Sequence, residues 1–123
     1  MSQDIISDAL NQIMNAKRVE KTEVEINRFS NVLINLFNMM KQEKHIDFKI
    51  EGTKIIVTIL KLNECKAIKP RFYVQIKDID KYLRRFLPSR NFGILVISTN
   101  KGLMDQEQAY ENNKGGSLIA YFY

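Results

Sequence analysis

The chain has 123 residues, 45% of them hydrophobic, with 19 Lys and Arg against 14 Asp and Glu. That length suits one compact fold or two very small subdomains sharing an interface, and it excludes a large multidomain enzyme. Two Pro and five Gly are too few for a linker-dominated chain, and no apolar stretch nears the roughly 18 to 20 residues of a bilayer-spanning helix. The start, Met1-Ser2-Gln3-Asp4, lacks the basic and apolar character of a leader, and the one cysteine, Cys65, cannot form an internal disulfide. A soluble, unsecreted, cytoplasmic protein is the expectation.

Residues 4–15 read as a short helix with Ile5, Ile6, Ala9, Leu10 and Ile13 on its apolar stripe, Ser2 or Asp4 as cap, and the polar stretch 17–21 as its end. Residues 22–26 alternate Val24 and Ile26 with charged neighbours, as a half-buried strand does. Ser30 caps a second predicted helix through Gln42, its core stripe formed by Val32, Leu33, Leu36, Phe37, Met39 and Met40. Ile46, Phe48 and Ile50 alternate, Glu51-Gly52-Thr53 supplies a turn, and residues 54–62 hold the apolar run Ile55-Ile56-Val57, which together read as a β-hairpin.

Residues 63–70 show no periodicity and mark a boundary. Beyond it Phe72, Val74 and Ile76 alternate as a strand, a basic helix follows and stops at Pro88, and residues 93–98 read as a buried strand. A loop over residues 98–102, a short helix over 105–112, the turn Lys114-Gly115-Gly116 and a last strand over 117–123 complete the chain. The fold class is therefore α+β with two small subdomains. Residues 1–63 run helix, strand, helix, strand, strand, and residues 64–123 are mostly β with two short helices.

The excess charge is local. Residues 61–90 carry nine basic side chains against Glu64, Asp78 and Asp80, whereas the flanking regions are close to balanced. Lys77, Lys81, Arg84 and Arg85 follow helical spacing on one arc, opposite Ile79, Tyr82, Leu83 and Phe86. Such a face suits a phosphate polyanion, an acidic protein partner or a membrane surface, and equally an ordinary solvated helix.

Catalytic chemistry finds little support. A single histidine, His45, in a predicted helix-to-strand turn makes neither a triad nor a His-rich metal site, and reads as structural or exposed. Neither Lys101-Gly102 nor Lys114-Gly115-Gly116 completes a phosphate-binding loop, the carboxylates are scattered, and Lys66 beside Cys65 is a weak hint of reactivity against a plain thiol. What remains is a hydroxyl-rich loop. Ser98, Thr99 and Asn100 can bond ribose, base edges and phosphates, Lys101 adds charge and Gly102 admits close backbone approach, although a plain tight loop capping the next helix has the same composition.

Ser98-Thr99-Asn100-Lys101-Gly102-Leu103-Met104-Asp105, then Gly115-Gly116 and the end Ile119-Ala120-Tyr121-Phe122-Tyr123, resembles the C-terminal signature of the eighth small-subunit ribosomal protein family. Asp8-Ala9-Leu10 with Asn15-Ala16 resembles the family's first helix, and Ile68-Lys69-Pro70-Arg71-Phe72 and Leu87-Pro88-Ser89-Arg90-Asn91-Phe92-Gly93 resemble its archaeal and eukaryotic cytosolic branch.

The resemblance implies two α+β subdomains and a non-catalytic role: direct binding to an irregular helical stem in the central domain of small-subunit ribosomal RNA, early in assembly, by the C-terminal subdomain. It implies no cofactor, metal, small-molecule substrate or membrane, and partners that are that RNA and neighbouring small-subunit proteins. Carried over, it puts Ser98, Thr99, Asn100, Lys101 and Gly102 on RNA, Gly115 and Gly116 at the adjacent turn, and Asn15, Lys17 and Arg18 at a second contact. Lys69, Arg71, Arg85 and Arg90 then supply phosphate contacts while the loop supplies selectivity. The chain departs from the family in having Tyr110 and Glu111, then Asn112 and Asn113, where an arginine pair is usual, and Asn100 where serine is usual. A small enzyme or nucleotide-binding regulator, and a module binding an acidic protein through the basic helix, are the competing readings.

Overall fold

The computed structural model describes residues 5–88 and 92–123, with the side chains of residues 69–72 outside the description. The chain divides into two compact units, Met1–Lys66 and Ala67–Tyr123.

The first unit packs two helices on a three-stranded antiparallel sheet. Helix α1 (Ile5–Arg18) buries Ile6, Ala9, Leu10, Ile13 and Ala16, the stripe that 3.6-residue periodicity dictates. It runs to Arg18, past the residue 15 at which the sequence pattern stops, and its end is closed by Glu20 at φ 63° with the Lys21 N–H donating to the Ala16 carbonyl at 2.9 Å. Strand β1 (Glu23–Ile26) pairs with β3 (Lys54–Ile59), which also pairs with β2 (Ile46–Glu51), giving the order β1-β3-β2. Gly52, at φ 62°, makes the β2–β3 turn possible without steric cost. Helix α2 (Asn31–Gln42) starts where the Ser30 hydroxyl accepts from the Leu33 N–H at 3.3 Å. Leu33, Leu36, Phe37 and Met40 form its buried stripe, whereas Val32 turns to solvent at 41% exposure, outside the stripe in which periodicity alone includes it.

The second unit is a four-stranded sheet in the order β4-β7-β5-β6 with two short helices. Strand β4 spans Cys65–Val74. The sequence pattern starts a strand only at residue 72, because the segment from 65 mixes Lys66, Lys69 and Pro70 with its apolar residues. An edge position tolerates both charge and a proline without an amide hydrogen. The strand also ends sooner than the alternation implies, since Ile76 opens a single 3₁₀ turn (Ile76–Asp78) leading into α3 (Ile79–Phe86). Lys77 therefore lies on that turn rather than on the helix. Strands β5 (Ile94–Thr99), β6 (Gly102–Met104) and β7 (Gly116–Phe122) follow, with α4 (Gln106–Asn112) between the last two.

Leu95, Ile97 and Leu118 are fully buried against Ile79, Leu83 and Ala109 in the core of this unit. A bulge shifts the β5–β7 register: Val96 faces Ala120 and Ile97 faces Leu118, so Ile119 is extra. The shift brings Tyr121 into the same core as Leu118. Helix α4 is fixed at its start by a capping box, with the Gln108 N–H donating to Asp105 at 2.7 Å and the Asp105 N–H donating to Gln108 at 3.1 Å.

Candidate nucleic-acid interface

The residues 98–102 are a hairpin, not the simple loop their composition suggests. Ser98 and Thr99 end β5, Asn100 and Lys101 make the turn, and Gly102 begins β6 opposite Thr99. The Thr99 hydroxyl donates to the Gly102 carbonyl at 2.9 Å and accepts from the Lys101 N–H at 3.1 Å, so its single proton is used within the turn. Gly102 sits at φ 110°, and a Cβ built there meets nothing within 4 Å. Its glycine suits that left-handed backbone conformation, and the residue is exposed.

The opposite wall comes from the α4–β7 connection. Asn113 adopts the left-handed conformation at φ 53°, ψ 47°, and the Lys114 N–H donates to the Ala109 carbonyl at 3.0 Å. The chain then passes against its neighbours: a Cβ on Gly115 would lie 2.6 Å from the Val74 carbonyl oxygen, and one on Gly116 would strike the Ser98 carbonyl oxygen. Both positions therefore need glycine for space. Ser117 pairs with Ser98 across the ladder.

Between these walls lies an open groove of about 390 Å³, lined by Tyr73, Ser98, Thr99, Asn100, Asn113, Lys114, Gly115, Gly116 and Ser117. It gathers five of the expected contacts, Ser98, Thr99, Asn100, Gly115 and Gly116, in one place, with Lys101 and Gly102 on the adjoining turn. Hydroxyls, amides and bare backbone dominate the lining. Chemically it can read hydrogen-bonding edges and riboses more readily than it can neutralise a run of phosphates. Tyr73, 68% exposed, lines the groove without having been an expected contact, as do Asn113, Lys114 and Ser117. For Tyr73 the signal was present: it precedes Val74, a buried position of the strand, and successive side chains of a strand point to opposite faces.

The remaining expected contacts lie elsewhere. Lys69 and Arg71 belong to β4 with side chains outside the described residues, and Arg90 is itself outside them. Arg85 is exposed on α3, its guanidinium carbon 5.5 Å from the Phe86 ring centroid, and takes no part in the groove. In the first unit, Asn15, Lys17 and Arg18 are exposed at the end of α1, with Arg18 donating to the Asn15 side-chain oxygen at 3.0 Å. Asn15 lines a separate cleft of about 430 Å³ that also takes in Glu23 and Glu25, carboxylates that oppose phosphate entry.

His45 and Cys65 serve the structure. The His45 Nδ1–H donates to the Lys61 carbonyl at 2.6 Å. Cys65 is 2% exposed, its S–H directed at the Leu10 carbonyl at 3.8 Å, and burial, with a smaller contribution from Glu64, pushes its thiol up to about 12. A thiol held protonated in this way is no nucleophile at neutral pH. Among the described residues no group of His, Cys, Asp and Glu could hold a metal ion, and no helix is long and apolar enough to cross a membrane.

Residues 4–123 match the protein family described as "Ribosomal protein S8". The chain is similar to the small ribosomal subunit protein uS8 of Nanoarchaeum equitans, 40% identical over 129 residues covering 100% of both chains. It is likewise similar to the uS8 of Archaeoglobus fulgidus, at 39% over 129 residues and 100% of both chains, and to uS8A of Schizosaccharomyces pombe, at 34% over 127 residues and 98% of both.

Proposed function

The chain belongs to the ribosomal protein S8 family, and from that premise we propose that it binds small-subunit ribosomal RNA directly with the groove between the β5–β6 turn and the start of β7. A place in the small ribosomal subunit, and so in the cytoplasm, follows from the family, which is one of structural ribosomal proteins and not of enzymes. The ligand in this reading is an irregular helical stem of the RNA's central domain. Residues 64–123 form the binding part, residues 1–63 provide a second contact through Asn15, Lys17 and Arg18, and the bound protein orders the RNA during assembly beside neighbouring small-subunit proteins.

The observation that carries the reading is the convergence of Ser98, Asn100, Ser117 and the backbone of Gly115 and Gly116 on one groove with exposed Tyr73 at its side. Irregular RNA displays unstacked bases and 2′-hydroxyls, and short polar groups with an aromatic neighbour are suited to reading them. Thr99 contributes mainly by holding the turn, because its proton is already given to Gly102.

Asn100 offers the cleanest test, since it is an exposed turn residue lining the groove. Asn100→Ala should leave stability within about 0.5 kcal/mol of the parent and weaken binding to the cognate stem by about 1 to 3 kcal/mol, with little change on unrelated RNA. Equal loss on both RNAs, measured by filter binding or fluorescence anisotropy, would remove the groove from the specific contact.

A further inference from the structure

The second unit carries another distinctive surface, at the other end of β7 from the groove. Five aromatic rings form a continuous ribbon there. Tyr82 lies 6.5 Å from Phe86, Phe86 5.5 Å from Tyr121, Tyr121 6.3 Å from Tyr123 and Tyr123 5.9 Å from Phe92, centroid to centroid. Two cations of α3 rest on this ribbon: the Lys81 ammonium 5.7 Å from the Tyr82 centroid and the Arg85 guanidinium carbon 5.5 Å from the Phe86 centroid. Both side chains are exposed. Contact with the rings restrains the two long side chains, so less rotamer entropy is lost when they bind an anion.

Lys81 and Arg85 stand i, i+4 on the helix, so their stems leave it about 6 Å apart along the axis. Exposed Lys77 precedes them on the 3₁₀ turn, while Arg84 is tied to Asp80 at 3.0 Å. Lys81 and Arg85, each braced by a ring, leave the helix at a separation of about 6 Å, close to that of successive phosphates of one strand, and exposed Lys77 adds a third cation just before the helix. The row is separate from the groove. Phe86 packs on Tyr121, four residues along β7 from Ser117, which is about 13 Å at the rise of a strand. Arg85 is not among the residues that line the groove.

We propose that Lys81 and Arg85, with Lys77, form a second anion-binding surface on this protein that takes the phosphate backbone of the same RNA beyond the segment held in the groove. The inference rests on the groove reading, which supplies the RNA. Charge complementarity favours phosphate over an acidic protein. A polyanion already tethered about 13 Å away arrives at high effective concentration and releases condensed counterions on contact, whereas a carboxylate-rich partner must desolvate its own charges to meet the row.

The experiment uses the full chain and its Lys81→Glu/Arg85→Glu variant against two RNAs: a short cognate stem that fills only the groove, and the same stem extended by flanking nucleotides. The variant should bind the short stem within about twofold of the parent and the extended RNA about tenfold more weakly, with the slope of log affinity against log salt reduced by about two on the extended RNA alone. Equal affinity of parent and variant for the extended RNA overturns the proposal, as does an equal loss on both RNAs. Unchanged affinity for both RNAs together with loss of the variant from sedimenting small subunits overturns it in favour of an acidic protein partner. If the parent itself shows no preference for the short stem, the groove reading fails first and this inference with it.

Discussion

Replacing Gly116 with alanine places a methyl group against the β5 backbone. The new Cβ would strike the Ser98 carbonyl oxygen, with the Ser98 carbonyl carbon at 2.9 Å and Ile97 Cγ2 at 3.0 Å. The two nearest atoms are backbone and the third belongs to the fully buried, β-branched Ile97, so no flexible side chain can swing aside and β7 must move off β5 by about 1 Å, which forfeits a quarter to a half of the dispersion attraction across that gap. Fully buried Ile97 and Leu118 face each other there. Overpacking of this kind costs about 1 to 3 kcal/mol, partly offset by about 0.4 to 1 kcal/mol from a less flexible unfolded chain. The net expectation is a loss of about 1 to 2 kcal/mol, read as a lower urea midpoint by far-UV circular dichroism with the slope unchanged. Gly52→Ala is the comparison, because Gly52 has open space but a φ of 62° and loses only the left-handed allowance, about 1 kcal/mol. The same displacement moves Ser98 and Ser117, so Gly116→Ala should also weaken binding of the cognate stem. Stability equal to the parent, or a smaller loss than for Gly52→Ala, would refute the steric reasoning.

Two further outcomes follow from buried polar groups. Gln106, 7% exposed, accepts from the Leu95 N–H at 3.0 Å and donates to the Gly93 carbonyl at 3.1 Å. Gln106→Leu strands both partners and should cost about 2 kcal/mol, seen as a Tm lower by about 10 °C for a unit of this size; an unchanged Tm would show that water replaces the amide. Cys65 has its thiol raised from 9.0 to about 12 by burial, so above pH 9 the unfolded chain loses a proton that the folded chain keeps. The thiol should therefore lower stability by up to about 1.4 kcal/mol per pH unit between those values, so the stability of the parent should fall more steeply with pH there than that of the Cys65→Ala variant. Rapid labelling of native protein by a thiol reagent at neutral pH would contradict this.

Legibility in the sequence followed how much of each element is written in local periodicity. Helices α1 and α2 and the β2–β3 hairpin carry their own apolar stripes, a serine cap and a glycine turn, and all are recoverable from the residues alone. The first half of β4 is not, because an edge strand is specified by pairing with β7 rather than by alternation of its side chains. Strand β6 is three residues long, too short for a period, and depends on Thr99 bonding back across the turn. Gln106 reads as a surface residue of a polar helix, and only the tertiary fold gives it two buried backbone partners.

The candidate site was half legible for the same reason. Ser98, Thr99 and Asn100 are contiguous, whereas Tyr73, Asn113 and Ser117 reach the groove from other elements. Charge points to a different surface. The basic helix stands out in the sequence, but the groove is polar rather than strongly cationic, and Arg85 lies at the far end of β7 from it.

The most direct measurement is ultraviolet crosslinking of the tagged protein in small subunits recovered from a sucrose gradient, with the crosslinked peptides and nucleotides identified by mass spectrometry. If the groove holds the RNA, the protein sediments with small subunits, and Tyr73 and the turn 98–102 carry nucleotides from one irregular stem. Co-sedimentation with every crosslink on residues outside the groove, or a protein confined to the soluble fractions, would contradict it.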